Sequence, residues 1–290
     1  MEIVQLAING IALGAAYALV ALGFVLVLNA TSAVNFAQGD LVMAGGFVAV
    51  ALAERLPWPG ILLLPLVLGL MALLGLVFSL VAYFPLKDRP PVSVFISTIA
   101  VGIILQNTAN AVFGGEPRAA PPLFAGGHFR VGPLIVGKQA LAIILVAALL
   151  ILGQHLLFAR TQLGRRLRAT AQDPQMAQAV GIPVNRMIAL TFALASALAG
   201  AAGLLLAHQY FVTPTHGTDL IITAYIAVVI GGWGRVWGAV AGAMLIALFD
   251  VIVGAYVSYT AATALLYAAL LGILFFRPQG LFGEAIQRRA

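Results

Sequence analysis

Apolar stretches recur along the whole chain, each near the 20 residues that a helix rising about 1.5 Å per residue needs to cross ~30 Å of hydrocarbon. Nine can be marked: Ile8 to Leu28, Phe36 to Ala53, Ile61 to Phe84, Val92 to Phe113, Ala140 to Phe158, Met187 to Tyr210, Leu220 to Gly232, Gly238 to Val257 and Thr260 to Phe276. They predict an all-α, polytopic transmembrane bundle of eight or nine spans. The second and seventh stretches are the weakest. The second opens with NFAQGD, Asn35 to Asp40. Polar atoms facing lipid there would each cost several kcal/mol, so a broken or re-entrant helix lining a cavity is expected over residues 35–53.

Composition supports the same class. Of 290 residues, 62% are hydrophobic and 8% charged, against roughly 25% charged in an ordinary soluble domain. No polar stretch is long enough for a separate soluble domain, so residues 1–290 read as one transmembrane domain set in membrane lipid. The net charge of +6 raises nucleic acid as a partner. The arginines, however, sit in short loops without aromatic interleaving or a basic helix face, and nucleic acid is excluded.

Those loop charges set an orientation, because basic residues in short loops stay on the cytoplasmic side. With the C-terminus inside, Lys87, Arg89, Arg160, Arg165, Arg166, Arg168, Arg186, Arg235, Arg277, Arg288 and Arg289 are cytoplasmic and only Arg55, Arg118, Arg130 and Lys138 lie opposite, a split of eleven to four. Nine spans then put the N-terminus outside. The chain opens Met1, Glu2 and runs directly into an apolar segment, which is expected to be a retained first span rather than a cleaved signal. The absence of cysteine rules out disulfides, thiolate chemistry and Cys-ligated metals.

Two loops differ from the rest. Residues 114–138 contain GGEPRAAPP and read as an ordered, turn-rich segment on the outer face. Residues 159–186 are different in character: Leu163, Leu167 and Ala171, then Met176, Ala179 and Val180, recur at helical spacing among polar residues. Asp173 and Pro174 divide this stretch into two short helices, and Gly181 with Pro183 ends the second. An amphipathic hairpin too short to fold alone is expected to dock on another protein.

At these residues a family resemblance enters. GRRLRATAQD, MAQAVGI and NRMIALTF in the hairpin, NGIALGAAYALVALGFVLV with VNFAQGDLVMAGGF near the start, AVVIGGWGRVWGAVAGA at Ala227 to Ala243 and FRPQGLFG at Phe276 to Gly283 together resemble the LivH-type permease subunits of branched-chain amino-acid ABC transporters. The resemblance covers nearly the whole chain and identifies the family better than the substrate. It implies a helical fold shared with ribose-type sugar permeases and a place in the bacterial inner membrane. It also implies a LivM-type second permease, two ABC ATPase subunits and a periplasmic substrate-binding protein. In that family the loop sits in an ATPase cleft, which assigns coupling to Gly164, Arg165, Arg168, Ala169, Asp173, Pro174, Ala177 and Gly181. No cofactor is expected on this chain, since ATP and magnesium belong to the ATPases.

No catalytic constellation competes with this reading. Gly132 to Lys138, GPLIVGK, fits G-x-x-x-x-G-K but continues with Gln139 instead of the hydroxyl residue that a phosphate loop needs for magnesium. His128, His155, His208 and His216 form no metal-binding pair or triad. Polar residues inside spans are candidates for a solute path because they are costly in lipid: Asn35, Gln38, Asp40, Gln106, Asn107 and Asp250. Ser97 and Thr98 are better read as bonding neighbouring helices. The pairs Gly10 with Gly14 and Gly238 with Gly242 permit close helix approach and point to tight internal packing. A faint likeness between the halves flanking the hairpin accords with an internal repeat. The alternative function is a stand-alone secondary transporter, which would need coupling-ion ligands or proton relays for which only Asp40 and Asp250 are available.

Overall fold

The computed structural model describes residues 2–124, 127–131, 134–277 and 279–282. Met1, Gly132, Arg288 and Arg289, named above, lie outside them, as do Pro278 and Gly283 of FRPQGLFG. Helix α1 covers Glu2–Thr31, α2 Gln38–Arg55 and α3 Gly60–Phe78, the last running on through a π turn and a 3-10 turn to Leu86. Helix α4 is Pro91–Phe113, followed by strands β1, His128–Val131, and β2, Leu134–Gly137. Then come α5 (Lys138–Arg160), α6 (Gln162–Gln172), α7 (Pro174–Ala179), α8 (Val184–Ala207), α9 (His216–Gly231), α10 (Val236–Tyr256) and α11 (Tyr259–Phe276).

Seven of these helices, α1, α3, α4, α5, α8, α10 and α11, are long and apolar enough to cross a membrane. This is fewer than the eight or nine spans expected, and the difference falls on the two weakest stretches. Helix α9 has 16 residues, about 24 Å of helix, and α2 carries Asp40, Glu54 and Arg55 within its 18 residues. Both begin partway through the bundle. The Gln38 side chain reaches Ala195, the midpoint of α8, and Asp40 packs against Gly102, the midpoint of α4. Gly217, second in α9, packs against Asp40 in turn.

Small residues bring the long helices together. Helix α1 packs most extensively on α10, and α3 on α8. Gly10 and Gly14 lie against Leu248 and Met244 of α10, while Gly238 and Gly242 lie against Gly231 and Ala227 of α9, so both G-x-x-x-G pairs serve contacts inside the chain. At the centre Gly45 meets Gly200, and Gly203 meets the backbone of Val42 and Gly46. The first helix of one half thus pairs with the third of the other: α1 with α10 and α8 with α3. The two short helices α2 and α9 meet between them, as in two interleaved repeats of inverted topology.

The polar connections separate by end. Asn29 bonds Gly234, Lys87 bonds Asn185, and Leu281 bonds Ile230. These contacts gather the α3–α4 turn, the start of α8, the α9–α10 turn and the chain after α11 at one end of the bundle. Every described basic residue assigned to the larger group above lies on these connections, at the end of α5 or on the α6–α7 hairpin. At the opposite end, residues 114–138 form more than turns. They include an antiparallel hairpin with register His128↔Gly137 to Val131↔Leu134, a small strand pair attached to the helical bundle. Arg118 pairs its backbone with Val212 in both directions and donates to Glu54 at 2.8 Å, and Gly60 donates to Pro122 O at 2.9 Å.

A Cβ at Gly203 would strike the backbone of Val42, whereas one at Gly69 meets nothing within 4 Å. Gly203→Val is therefore expected to destabilise the chain by at least about 1–3 kcal/mol, read as a lower melting temperature in detergent, with Gly69→Val close to wild type. Equal melting of the two variants would refute the close crossing of α2 and α8.

Candidate functional site

The segment between α1 and α2 re-enters the bundle without helical hydrogen bonds of its own, so its polar groups need partners from neighbours. Ser32 turns the chain with φ 54. Asn35 Oδ1 accepts from Ala37 N at 3.1 Å, and Phe36 N donates to Thr98 Oγ1 at 3.2 Å. Gln38, 0% exposed, donates through Nε2 to Ala195 O at 3.2 Å. Helix α2 therefore starts inside the protein with its polar entry sealed. Among the described residues, Ser32 and Phe211, φ 58, are the only non-glycine positions with positive φ, and they occupy matching places ahead of α2 and α9.

Asp40, 6% exposed, lies in the first turn of α2 and beside the first turn of α9. Each helix N-terminus carries about half a positive charge from its unpaired N–H groups, so the carboxylate has two favourable dipole ends and needs no cationic side chain. Gln106 Nε2 donates to its Oδ1 at 2.8 Å and lies 3.5 Å from Thr218 Oγ1. A side chain at Gly39 or Gly217 would strike the facing backbone, which is why glycine is the second residue of both helices. From this junction α2 runs toward Arg118, and α9 runs the other way toward Gly234.

The outer side of the junction is polar. Thr218 and Asp219 are exposed, Gln106 is half-buried, and Asn107 is exposed with its amide donating to Ile103 O at 2.8 Å. Asp250, half-buried on α10, makes no hydrogen bond to these groups; it is an electrostatic neighbour of Tyr17, Tyr210 and Tyr259, the first and last of which it shares with Asp219.

The second functional element is the hairpin at the basic end. Thr161 caps α6, its Oγ1 accepting from Gly164 N at 2.9 Å. Asp173 caps α7, its Oδ1 accepting from Gln175 N at 2.9 Å and Met176 N at 3.0 Å, and Pro174 takes the first helical position. Gly181, φ 83, closes α7 in the left-handed conformation while Ile182 N donates to Ala177 O at 3.0 Å. Gly164 packs directly on the Leu157 carbonyl of α5. Arg165 and Arg168 are exposed and Ala169 is half-buried. Ala177, 3% exposed, faces the chain itself, so the outward apolar face of α7 is Met176 and Val180, 63% and 73% exposed.

A family model described as the permease component of branched-chain amino acid transport systems matches residues 6–276. The chain belongs to this permease family. It is 30% identical to the high-affinity branched-chain amino acid permease protein BraD of Pseudomonas aeruginosa, over 97% of this chain and 95% of that protein. It is 31% identical to the corresponding LivH protein of Escherichia coli, over 95% of this chain and 94% of that one. The ribose import permease protein RbsC of Escherichia coli is 26% identical over 80% of this chain and 73% of its own. No solved structure matches the chain.

In this multi-pass permease, four of the six polar candidates form two hydrogen-bonded pairs at the start of α2, Asn35 with Gln38 and Asp40 with Gln106; Asn107 lies one position on, facing outward, and Asp250 joins neither pair. Sequence reasoning missed Thr218 and Asp219. The signal was present, since Gly217-Thr218-Asp219-Leu220 in α9 echoes Gly39-Asp40-Leu41 in α2. Thr98 bonds across to the α1–α2 connection, the role expected of it.

Asp40→Asn keeps the shape but removes the charge held by two helix ends. It is expected to lower stability by about 1–2 kcal/mol and to lower uptake, whereas Asn107→Ala leaves stability unchanged. Wild-type melting and uptake in Asp40→Asn would remove the carboxylate from both roles.

Proposed function

We propose that the permease forms one half of the translocation path of an ABC importer in the bacterial inner membrane. A second, LivM-type permease supplies the other half. Two ATPase subunits bind ATP and magnesium, and a periplasmic binding protein delivers the solute. The solute is a branched-chain amino acid or a related small polar molecule. Family membership supports the permease role, and the capped α6–α7 hairpin carries the coupling argument. It is held rigid at both ends yet presents Met176 and Val180 to solvent, an apolar tip that a soluble partner would cover.

The path follows the polar side of the α2–α9 junction, where Gln106, Asn107, Thr218 and Asp219 face outward in front of the buried Asp40. Few charges line it, which suits a zwitterion or neutral solute better than a polyanion. The gathering of basic residues at the hairpin end favours a cytoplasmic hairpin and C-terminus and a periplasmic N-terminus.

Because the chain has no cysteine, single-cysteine variants report topology without background. Gln175→Cys is expected to react with an impermeant thiol reagent only from the cytoplasmic side, and Glu116→Cys only from the outside. The reverse pattern would invert the proposed orientation.

Met176→Glu and Val180→Glu place charge on the tip without disturbing the packed face. Each is expected to reduce ATP-dependent uptake at least about tenfold, ~1.4 kcal/mol, with loss of ATPase co-purification or of substrate-stimulated hydrolysis. Gly181→Val, which forces a β-branched residue into the left-handed region, is expected to act in the same direction. Normal stoichiometry and stimulated turnover in all three variants would make the hairpin an ordinary solvated loop.

A further inference from the structure

A cavity of about 480 Å³ lies at the hairpin end of the bundle, between α1, α5, α6, α8 and α10. Its inner part is apolar, lined by Leu22, Leu26, Ile151 and Val240, and its rim carries Arg168, Gln172 and Asn29. Among the described residues that line it, none is acidic. Counting from the helix ends, Leu22 stands nine residues inside the end of α1, so the cavity penetrates roughly 13 Å along that helix, about the depth of one leaflet's hydrocarbon.

Three features select the occupant. The exposed guanidinium of Arg168 stands at the mouth, and Arg165 and Arg166 follow the same short helix, so the rim favours an anion. Trp237 lines the cavity at the first turn of α10, its ring 5.4 Å from that of His155, the level at which amphipathic rings sit at a membrane interface. Gln154, also in the lining, has its Oε1 buried with no hydrogen-bond partner among the described residues, although a buried amide oxygen ordinarily has one.

We propose that this cavity holds one anionic phospholipid, an acyl chain among Leu22, Leu26 and Val240, its phosphate at Arg168, and its glycerol or headgroup hydroxyls within reach of Gln154. The assignment requires only that the helices are membrane-embedded and is independent of the transported solute. It gives Arg168 a lipid contact in addition to any made by the hairpin with an ATPase. Basic pockets between membrane helices bind anionic headgroups by the same combination of charge and apolar wall.

The test uses the purified permease complex in detergent, incubated with phosphatidylglycerol, phosphatidylcholine or inorganic phosphate and examined by native mass spectrometry. The wild type is expected to retain one phosphatidylglycerol about fivefold over phosphatidylcholine, the factor one arginine near an anionic headgroup supplies, and no free phosphate. Arg168→Gln, a surface change that leaves folding intact, is expected to abolish the preference, and Val240→Trp, which fills the apolar part, to abolish retention of either lipid. No retained lipid in the wild type, phosphate bound as well as lipid, or an undiminished preference in Arg168→Gln would overturn the proposal. So would efficient cross-linking of Trp237→Cys to the second permease subunit, which would mean that protein rather than lipid covers the mouth.

Discussion

The fold depends on starting two helices in the middle of an apolar bundle. A helix N-terminus leaves four N–H groups without intrahelical partners, and hydrocarbon offers none. Here α2 and α9 solve the problem jointly. Their first turns are set against each other through Gly39 and Gly217, and Asp40 provides the negative charge that both dipoles favour. Around them Gln106 donates to Asp40, Gln38 donates to the carbonyl of Ala195, and Thr98 accepts from Phe36 N in the segment that leads into α2. The long helices can then cross closely where small residues face each other.

That junction explains the difference between expected and observed spans. Hydropathy located both weak segments but could not reveal that they meet at the same depth, since depth is set by which glycines face each other across α2, α8 and α9. Asp173, Pro174 and Gly181 were legible as helix stops because capping is local chemistry within a few residues. The orientation of Ala177 was not, because α7 is a six-residue helix, too short for periodicity to separate an inward face from an outward one. The β1–β2 hairpin was missed for a related reason: four-residue strands flanked by Gly and Pro give almost no alternation to count.

The two halves share a further economy. Ser32 and Phe211 adopt left-handed backbone at corresponding points, a conformation costing roughly 1–2 kcal/mol for a residue bearing a Cβ. The cost falls where the chain must turn from a full-length helix into a short one, and the bonded junction beyond each turn offsets it. A repeated strain at equivalent points ties the interleaved arrangement to backbone geometry as well as to packing partners.

Gly164 seats α6 on the last turn of α5 with no side chain between them. Bare backbone contact of this kind leaves no room for sliding, so α5 and the hairpin behave as a single crank about 35 Å long through its 23-residue arm. A push on Met176 or Val180 would reach the far end of α5, where Lys138 follows the β hairpin, as a tilt of the entire arm. The end of the bundle that carries the β hairpin would then sense the state of the opposite end through one stiff rod.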